Sequence, residues 1–189
     1  MIYLLRHGET VWNTLGRFQG QKDSPLTPRG ILQADRVAAR LAQEIGANGI
    51  TFEFYVSPLG RAQETAARIM LTVSFPARED ARLMEVTTGC WDGMTLYEID
   101  VEYPGVLEGA DAFDWYFRSP DGETFDSACA RVDSWLSGIS TPVIAVSHGL
   151  TGRLIRGVYL GLSRREMLEL PVPQDGFYCL EHGQVTLIE

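Results

Sequence analysis

One pattern constrains this chain more than any other: short apolar runs that stop abruptly on polar residues. Ile2 to Leu5 is wholly apolar and ends at Arg6-His7-Gly8, as a central parallel strand buried on both faces would. Phe52 to Val56 and Val143 to Val146 repeat the pattern, ending at Ser57 and Ser147. Helical stretches lie between them. Thr27-Pro28 reads as an N-cap followed by a first-turn proline. Behind it Ile31, Ala34, Ala38, Leu41 and Ile45 keep a 3.6-residue period, expected to end at Gly46 and Gly49. Ser57-Pro58 reads as a second such start. A further amphipathic stretch follows Gly122 (Phe125, Cys129, Val132, Leu136, Ile139), another spans Leu150 to Val158, and Ser163 to Glu166 has the form of a capping box. Phe177 to Leu180 and Val185 to Ile188 flank His182-Gly183 as a terminal hairpin. This alternation predicts an α/β chain, a three-layer α/β/α arrangement with a mainly parallel central sheet. Residues 1–189 suit one domain, given a typical size of about 150.

The stretch from about residue 89 to 122 breaks the rhythm. It is acidic, rich in Trp, Tyr and Phe, and aperiodic. It is expected to form a small inserted cap over the carboxyl ends of the strands, where open α/β sheets bind ligands.

Composition narrows the partners. With 45% hydrophobic and 22% charged residues the chain is ordinary globular protein, and no 18-residue apolar run suggests a membrane span. A net charge of −9 argues against nucleic acid or an anionic membrane as partner. Of the 16 basic residues only Lys22 is lysine, and arginine is the residue for planar recognition of carboxylate or phosphate. Cys90, Cys129 and Cys179 have neither disulfide-framework nor metal-ligand spacing. Arg6 cuts short the only apolar start, so no signal peptide is expected. Together these predict a cytoplasmic protein. Composition suits a monomer or a dimer alike.

The chain has three histidines. His7 and His148 each follow a buried-strand pattern and precede a glycine, so parallel strands would bring both imidazoles to one sheet edge. Arg61, in the first turn after another strand, joins Arg6 there. Two histidines, two arginines and a helix N-terminus form an anion site, and the anion they suit is phosphate-like. One imidazole could attack phosphorus while the other groups stabilise the transferring oxygens. A proton donor is still needed. HxH, HExxH and clustered Cys/His patterns are absent, so neither a metal nor a cofactor is expected. His182, before Gly183 in a turn, reads as a turn residue that tolerates positive φ.

Several blocks, in order, carry a resemblance. Arg6-His7-Gly8-Glu9-Thr10 with Trp12 and Asn13, then Gly16-Arg17-Phe18-Gln19-Gly20, then Asp23 to Thr27, are similar to the opening signature of the histidine phosphatase (phosphoglycerate mutase-like) superfamily. Ser57 to Ala66 resembles its second block, Leu83-Met84-Glu85 with Gly89 and Trp91 to Gly93 its third, and Val146 to Gly149 its last. Cys90 stands where the commoner pattern has an acidic or polar residue.

The resemblance implies a nucleophilic His7 that becomes phosphohistidine, with Arg6, Arg61 and His148 holding the phosphoryl group. Asn13, Arg17, Gln19 and Gly20 would line the substrate pocket. Glu85 would be the general acid and later the base, and is expected among apolar neighbours such as Trp91. Asp92 and Glu9 are nearby acids that only the family pattern sets aside. Cofactor-dependent mutases of the superfamily have a longer cap insertion and a closing C-terminal tail, whereas this sequence ends at Glu189. The expected activity is therefore metal-independent hydrolysis of small-molecule phosphate monoesters, such as sugar phosphates, nucleotides or a cobalamin-precursor phosphate. Mutase-type transfer and a phosphohistidine protein phosphatase are the alternatives. Arg17, Lys22 and Arg118 are candidate extra cations for a polyanionic substrate. The acidic cap residues Glu98, Asp100, Glu102, Glu108, Asp111 and Asp114 would oppose one if they faced the pocket.

Overall fold

A computed structural model describes residues 1–110 and 113–189; Asp111 of the acidic cap set lies outside them. Strand β1 (Ile2–Arg6) leads through the one-turn helix α1 (Val11–Thr14) to the long helix α2 (Pro28–Asn48). Strand β2 (Glu53–Val56), helix α3 (Gly60–Met70) and strand β3 (Ala77–Glu79) follow. Next come helix α4 (Leu96–Glu102), helix α5 (Phe125–Ser137), strand β4 (Val143–Ser147) and helices α6 (Gly149–Leu160) and α7 (Arg164–Glu169). The described chain closes on strands β5 (Phe177–Glu181) and β6 (Gln184–Ile188).

The strands form one six-stranded sheet in the order β3-β2-β4-β1-β5-β6. The first four are mutually parallel, β5 is antiparallel to β1, and β6 is antiparallel to β5. Side-chain alternation splits the core into two layers. Ile2 and Leu4 of β1, with Val143 and Ala145 of β4, pack with Val132, Trp135 and Leu154 from α5 and α6. Tyr3, Leu5, Ile144 and Val146 face the other way, against Val37, Leu41, Ala62 and Ile69 from α2 and α3. The sheet is thus covered by helices on both faces, which explains why its central strands are apolar throughout.

Two helix ends differ from the sequence reading. Helix α2 runs through Gly46 and stops only at Gly49, which takes the left-handed conformation at φ 61°. Helix α3 does not start at Ser57-Pro58: its first helical residue is Gly60 and its cap position is Leu59, with no side-chain capping bond of its own. The short strand β3 was not visible in the pattern either, since its three residues, Ala77 to Glu79, carry no apolar alternation.

Between residues 89 and 122 a separate small core forms. Trp91, Ile99 and Trp115 are buried together, with Phe18 packed on Trp115 at 4.5 Å between ring centroids. A buried Trp removes roughly 150–250 Å² from water, so two of them anchor this segment against the loop carrying Phe18. Arg17 adds a two-pronged bond to Glu98, both contacts 2.7 Å, and donates to the Gly93 carbonyl. Thr95 and Glu98 form a capping box that starts α4.

Candidate active site

Register fixes the centre. Arg6 of β1 pairs with Ser147 of β4, and Val56 of β2 with Val146, so His7, Ser57 and His148 leave the sheet side by side. His7 and His148 have ring centroids 5.2 Å apart, and both are buried. Gly8 is required immediately after His7: a Cβ there would lie 2.3 Å from the Gly30 carbonyl oxygen, so the start of α2 presses directly onto this turn.

His7 donates from Nδ1 to the Gly8 carbonyl at 2.8 Å. A carbonyl can only accept, so the hydrogen sits on Nδ1 and the lone pair on Nε2. Arg61 Nε–H approaches that lone pair at 3.3 Å. Burial, then the charges of Arg6 and Arg61, hold the His7 imidazolium well below the usual histidine range. His148 is held down likewise by burial first, then by Arg61 and His7. Its Nε2 lies 2.7 Å from Ser57 Oγ, while Nδ1 is buried with no protein partner among the described residues. Ser57 Oγ also accepts from the Leu59 N–H at 3.3 Å, one residue ahead of α3, so it serves both His148 and the turn that leads into the helix.

The cap of α3 comes from elsewhere. Asp23 accepts from the Gly60 N–H at 2.7 Å and the Arg61 N–H at 3.2 Å, and pairs with Arg61 Nη1 at 2.9 Å. Arg61 also donates to the Lys22 and Gly20 carbonyls, and its side chain is 1% exposed. One carboxylate thus sets both the start of the helix and the direction of its arginine.

Glu85 does not have the apolar surroundings expected of it. Its Oε1 accepts from the N–H groups of Val86 and Thr151 and from the Thr151 hydroxyl, and its Oε2 from the Leu150 N–H. It sits on the first turn of α6, where free N–H groups attract a carboxylate, while Trp91 belongs to the cap core. The rival acids have other roles. Asp92 is buried and accepts from Gln21 N, Thr87 Oγ1, Thr88 N and Thr88 Oγ1, pinning two loops together. Glu9 takes the Thr27 hydroxyl and lies 3.5 Å from Arg29.

These groups surround a cavity of about 310 Å³. Arg6, His7, Arg61 and Glu85 line it, as do Asn13, Arg17, Gln19 and Gly20. His148 stands behind this lining, against His7. Glu85 is the one acid among the described lining residues, so none of the described acidic cap residues faces the pocket. Gly20 adopts φ +49°, and a Cβ there would fall 1.8 Å from Asp92 Oδ1. Gln19 Oε1 is buried without a partner among the described residues. The proposed extra cations are all occupied by the protein itself: Arg17 by Glu98, Lys22 by the Asp92 carbonyl at 2.6 Å, Arg118 by the Val106 and Glu108 carbonyls. No group of three or more His, Cys, Asp or Glu side chains among the described residues could hold a metal ion.

Sequence reasoning missed another wall of the cavity, made by Phe113, Tyr116, Arg153 and Val172. Arg153 follows His148 by little more than a turn of α6, a spacing that could have marked it. Val172 precedes β5, whose antiparallel entry brings that loop to the same sheet edge; nothing in its local sequence signals this.

Comparisons with known proteins point to one family. A family model described as the histidine phosphatase superfamily, branch 1, matches residues 2–186. A candidate phosphoglycerate mutase, GpmB, of Yersinia pestis (strain Pestoides F) is 34% identical over 171 residues, covering 85% of this chain and 75% of the relative. A candidate alpha-ribazole-5'-P phosphatase structure from Escherichia coli aligns with TM-score 0.81 and 26% identity, over 99% of this chain and 93% of that one. The mycobacterial glucosyl-3-phosphoglycerate phosphatase Rv2419c aligns with TM-score 0.75 and 28% identity, over 99% and 96%.

Proposed function

The chain belongs to the histidine phosphatase superfamily, and from that membership we propose that it is a metal-independent phosphoric monoester hydrolase acting on small phosphate esters. The observation that carries the proposal is the state of His7: a neutral imidazole with its lone pair on Nε2, held between two arginines in the lining of a cavity that also holds one carboxylate.

His7 Nε2 attacks phosphorus, and the bond from phosphorus to the ester oxygen breaks. Glu85 acts as the general acid and gives a proton to the leaving alkoxide. Water then attacks the phosphohistidine, Glu85 takes a proton from it, the P–N bond breaks, and inorganic phosphate leaves with His7 restored. Arg6, Arg61 and His148 donate to the phosphoryl oxygens, whose charge they stabilise most in the transition state. Arg6 Nε and His148 Nδ1, buried without partners among the described residues, are two donors suited to this. Asn13, Gln19 and Gly20 line the pocket beside the phosphoryl group, and Arg17 holds that wall to the cap. We assign residues 89–122 as a cap within a single domain. A cytoplasmic setting fits the three free cysteines.

Hydrolysis is favoured over mutase transfer because Arg17, Lys22 and Arg118 are spent on protein acceptors, leaving no cluster of cations for a second phosphoryl dianion. The relationship to GpmB favours transfer, so the test must separate the two. Turnover of p-nitrophenyl phosphate should survive chelator and fall about a thousandfold or more in His7→Ala. Acid-labile, base-stable label should be trapped on wild-type protein from a labelled ester. Glu85→Gln should release a burst of one p-nitrophenol per site and then slow by roughly 10²–10⁴-fold, because the aryl leaving group needs no proton but water still needs a base. Activity lost to chelator, or unchanged in His7→Ala, would sink the proposal. Transfer of label to an added alcohol in preference to water would select the mutase reading.

A further inference from the structure

Three arginines of this fold converge on one short stretch of backbone. Leu170-Pro171-Val172-Pro173 joins α7 to β5 across the outside of the protein, with Pro171 exposed and its neighbours half-buried. Leu170 and Val172 each precede a proline, which confines them to extended backbone, and Leu170 takes φ −59° and ψ 137°. The prolines carry no N–H and a fixed φ, so the carbonyls of this strap have preset directions. Each of the first three is claimed by a different guanidinium. Leu170 accepts from Arg153 Nε at 2.6 Å, Pro171 from Arg156 Nη2 at 2.6 Å, and Val172 from Arg6 Nη1 at 2.7 Å. Gln174, just beyond the strap, donates to the His7 carbonyl at 3.2 Å.

Arg156 has no place in the chemistry described above. It is the eighth residue of α6, is 2% exposed, does not line the reaction cavity, and makes no ion pair with a described residue. The titratable groups that act on it are Tyr178 and Arg153, neither of them a carboxylate. A desolvated cation without a counter-charge is costly. Its direction is nevertheless fixed. Nε donates to the Gly152 carbonyl one turn back at 3.1 Å, and Cζ lies 4.0 Å from the centroid of the Tyr178 ring, whose hydroxyl donates to the same Pro171 carbonyl at 3.2 Å. Packing alone does not hold the strap here, because a cavity of about 20 Å³ lies among Arg6, Arg156, Val172, Pro173 and Tyr178.

We infer that Arg156 is a positioning residue for phosphoryl transfer: through the Pro171 carbonyl it sets the strap, and through the Val172 carbonyl the strap aims Arg6 at the phosphoryl group. This goes beyond the phosphatase reading and rests on it. Arg6 presents a planar fork, so holding Nη1 at Val172 fixes where its other donors point, among them the Nε that is buried without a partner among the described residues. A displaced strap turns that fork off line, and a misplacement of about 1 Å can cost about a hundredfold in rate.

The test substrate is p-nitrophenyl phosphate, with the first release of p-nitrophenol followed at enzyme excess so that slow variants remain measurable. Arg156→Met replaces the buried cation by an apolar chain, a kind of change that often leaves stability unaltered or raised. It should lower kcat/KM by about 10–100-fold, while the thermal midpoint stays within about 3 °C of wild type or rises. Arg156→Lys, which keeps the charge and a donor for Pro171, should recover part of the loss. In an Arg6→Gln background the same Arg156→Met change should cost less than about twofold, because the group it positions is gone. Pro171→Ala frees the strap with Arg156 in place and should lose about 3–10-fold, which keeps the inference exposed if Arg156→Met fails to fold. Wild-type kcat/KM in Arg156→Met, or in Pro171→Ala where the former is unfolded, overturns the inference. So does a fall by the same factor with and without Arg6, as a purely structural role would give. If Arg6→Gln and His7→Ala slow the reaction while Arg156→Met does not, the positioning role alone has failed. If neither slows it, the phosphatase reading has failed as well.

Discussion

Asp23→Ala probes the device that aims the central arginine. The carboxylate makes three contacts with one residue pair: the N–H groups of Gly60 and Arg61, and Arg61 Nη1. Losing a helix N-cap costs about 1 kcal/mol. Stranding a buried charge by removing its partner costs about 3–5 kcal/mol when both are fully desolvated. Here Asp23 is 40% exposed, and Nη1 keeps the Lys22 carbonyl at 2.7 Å, which reduces the pair's share to about 1–2 kcal/mol. The sum is about 2–3 kcal/mol. For a chain of this length that corresponds to a fall in Tm of roughly 4–12 °C. Asp23→Asn keeps an acceptor for the Gly60 N–H and should lose about half as much. Urea unfolding followed by tryptophan fluorescence measures this, with the midpoint moving and the slope constant. The exposed Arg165–Glu169 pair is the control: Glu169→Ala should stay within about 0.5 kcal/mol. An Asp23→Ala protein as stable as that control would refute the assignment of Asp23 as the cap of α3 and the anchor of Arg61.

Stability should also fall steeply on mild acidification. His7 and His148 are held neutral in the folded protein well below their ordinary range, whereas the unfolded chain protonates both below about pH 6.5. Below that pH the unfolded state binds more protons, so the stabilisation is fully present above about pH 6.5 and is lost as pH falls, by up to about 1.4 kcal/mol per pH unit for each histidine. Urea midpoints between pH 7.5 and 5 should show this slope, and His7→Asn should flatten it; a wild-type profile already flat over that range contradicts the reading. Two glycines of α2 should respond in opposite directions. A Cβ on Gly30 would lie 2.0 Å from the Glu9 carbonyl oxygen, so Gly30→Ala should cost about 1–3 kcal/mol. Nothing lies within 4 Å of a Cβ on Gly46, so Gly46→Ala should gain about 0.5–1 kcal/mol. Equal effects at the two positions, measured by thermal unfolding, would show that the packing at the start of α2 has been misjudged.

What could be read from the sequence was whatever is encoded locally. The apolar runs that became β1 and β4 announce burial on both faces, β2 alternates buried with half-buried positions, and the shared direction of the three suffices to bring His7, Arg61 and His148 together. The Ser163 capping box and the turn at His182, which takes φ 51°, are likewise short-range chemistry. The misreadings come where a distant residue supplies what the local sequence appeared to offer. Ser57 has the composition of a cap, but its hydroxyl reaches only the Leu59 N–H and is shared with His148, and the helical N–H groups of Gly60 and Arg61 fall to Asp23. Glu85 looks set among apolar neighbours such as Trp91, but the N–H groups that hold it belong to a helix more than sixty positions away. The Thr95 capping box escaped notice because the helix it opens has only seven residues, too few to show a period. Phe113, Tyr116 and Arg153 became neighbours only when the cap folded against α6.

Helix α6 gathers several of these threads in its first turns. His148 is its cap residue, the N–H groups of Leu150 and Thr151 hold Glu85, and Arg153 projects from the next turn. In the proposed reading, phosphoryl grip, proton delivery and one wall of the cavity are therefore mounted on one rigid rod and share its errors. A substitution that shifts this rod along its axis would detune all three together, so affinity cannot be adjusted there without also touching turnover. Phe113 and Tyr116 stand on a different support. Descendants of this chain that change their diet while keeping their speed should do so by altering side chains of the cap, leaving the rod as it is.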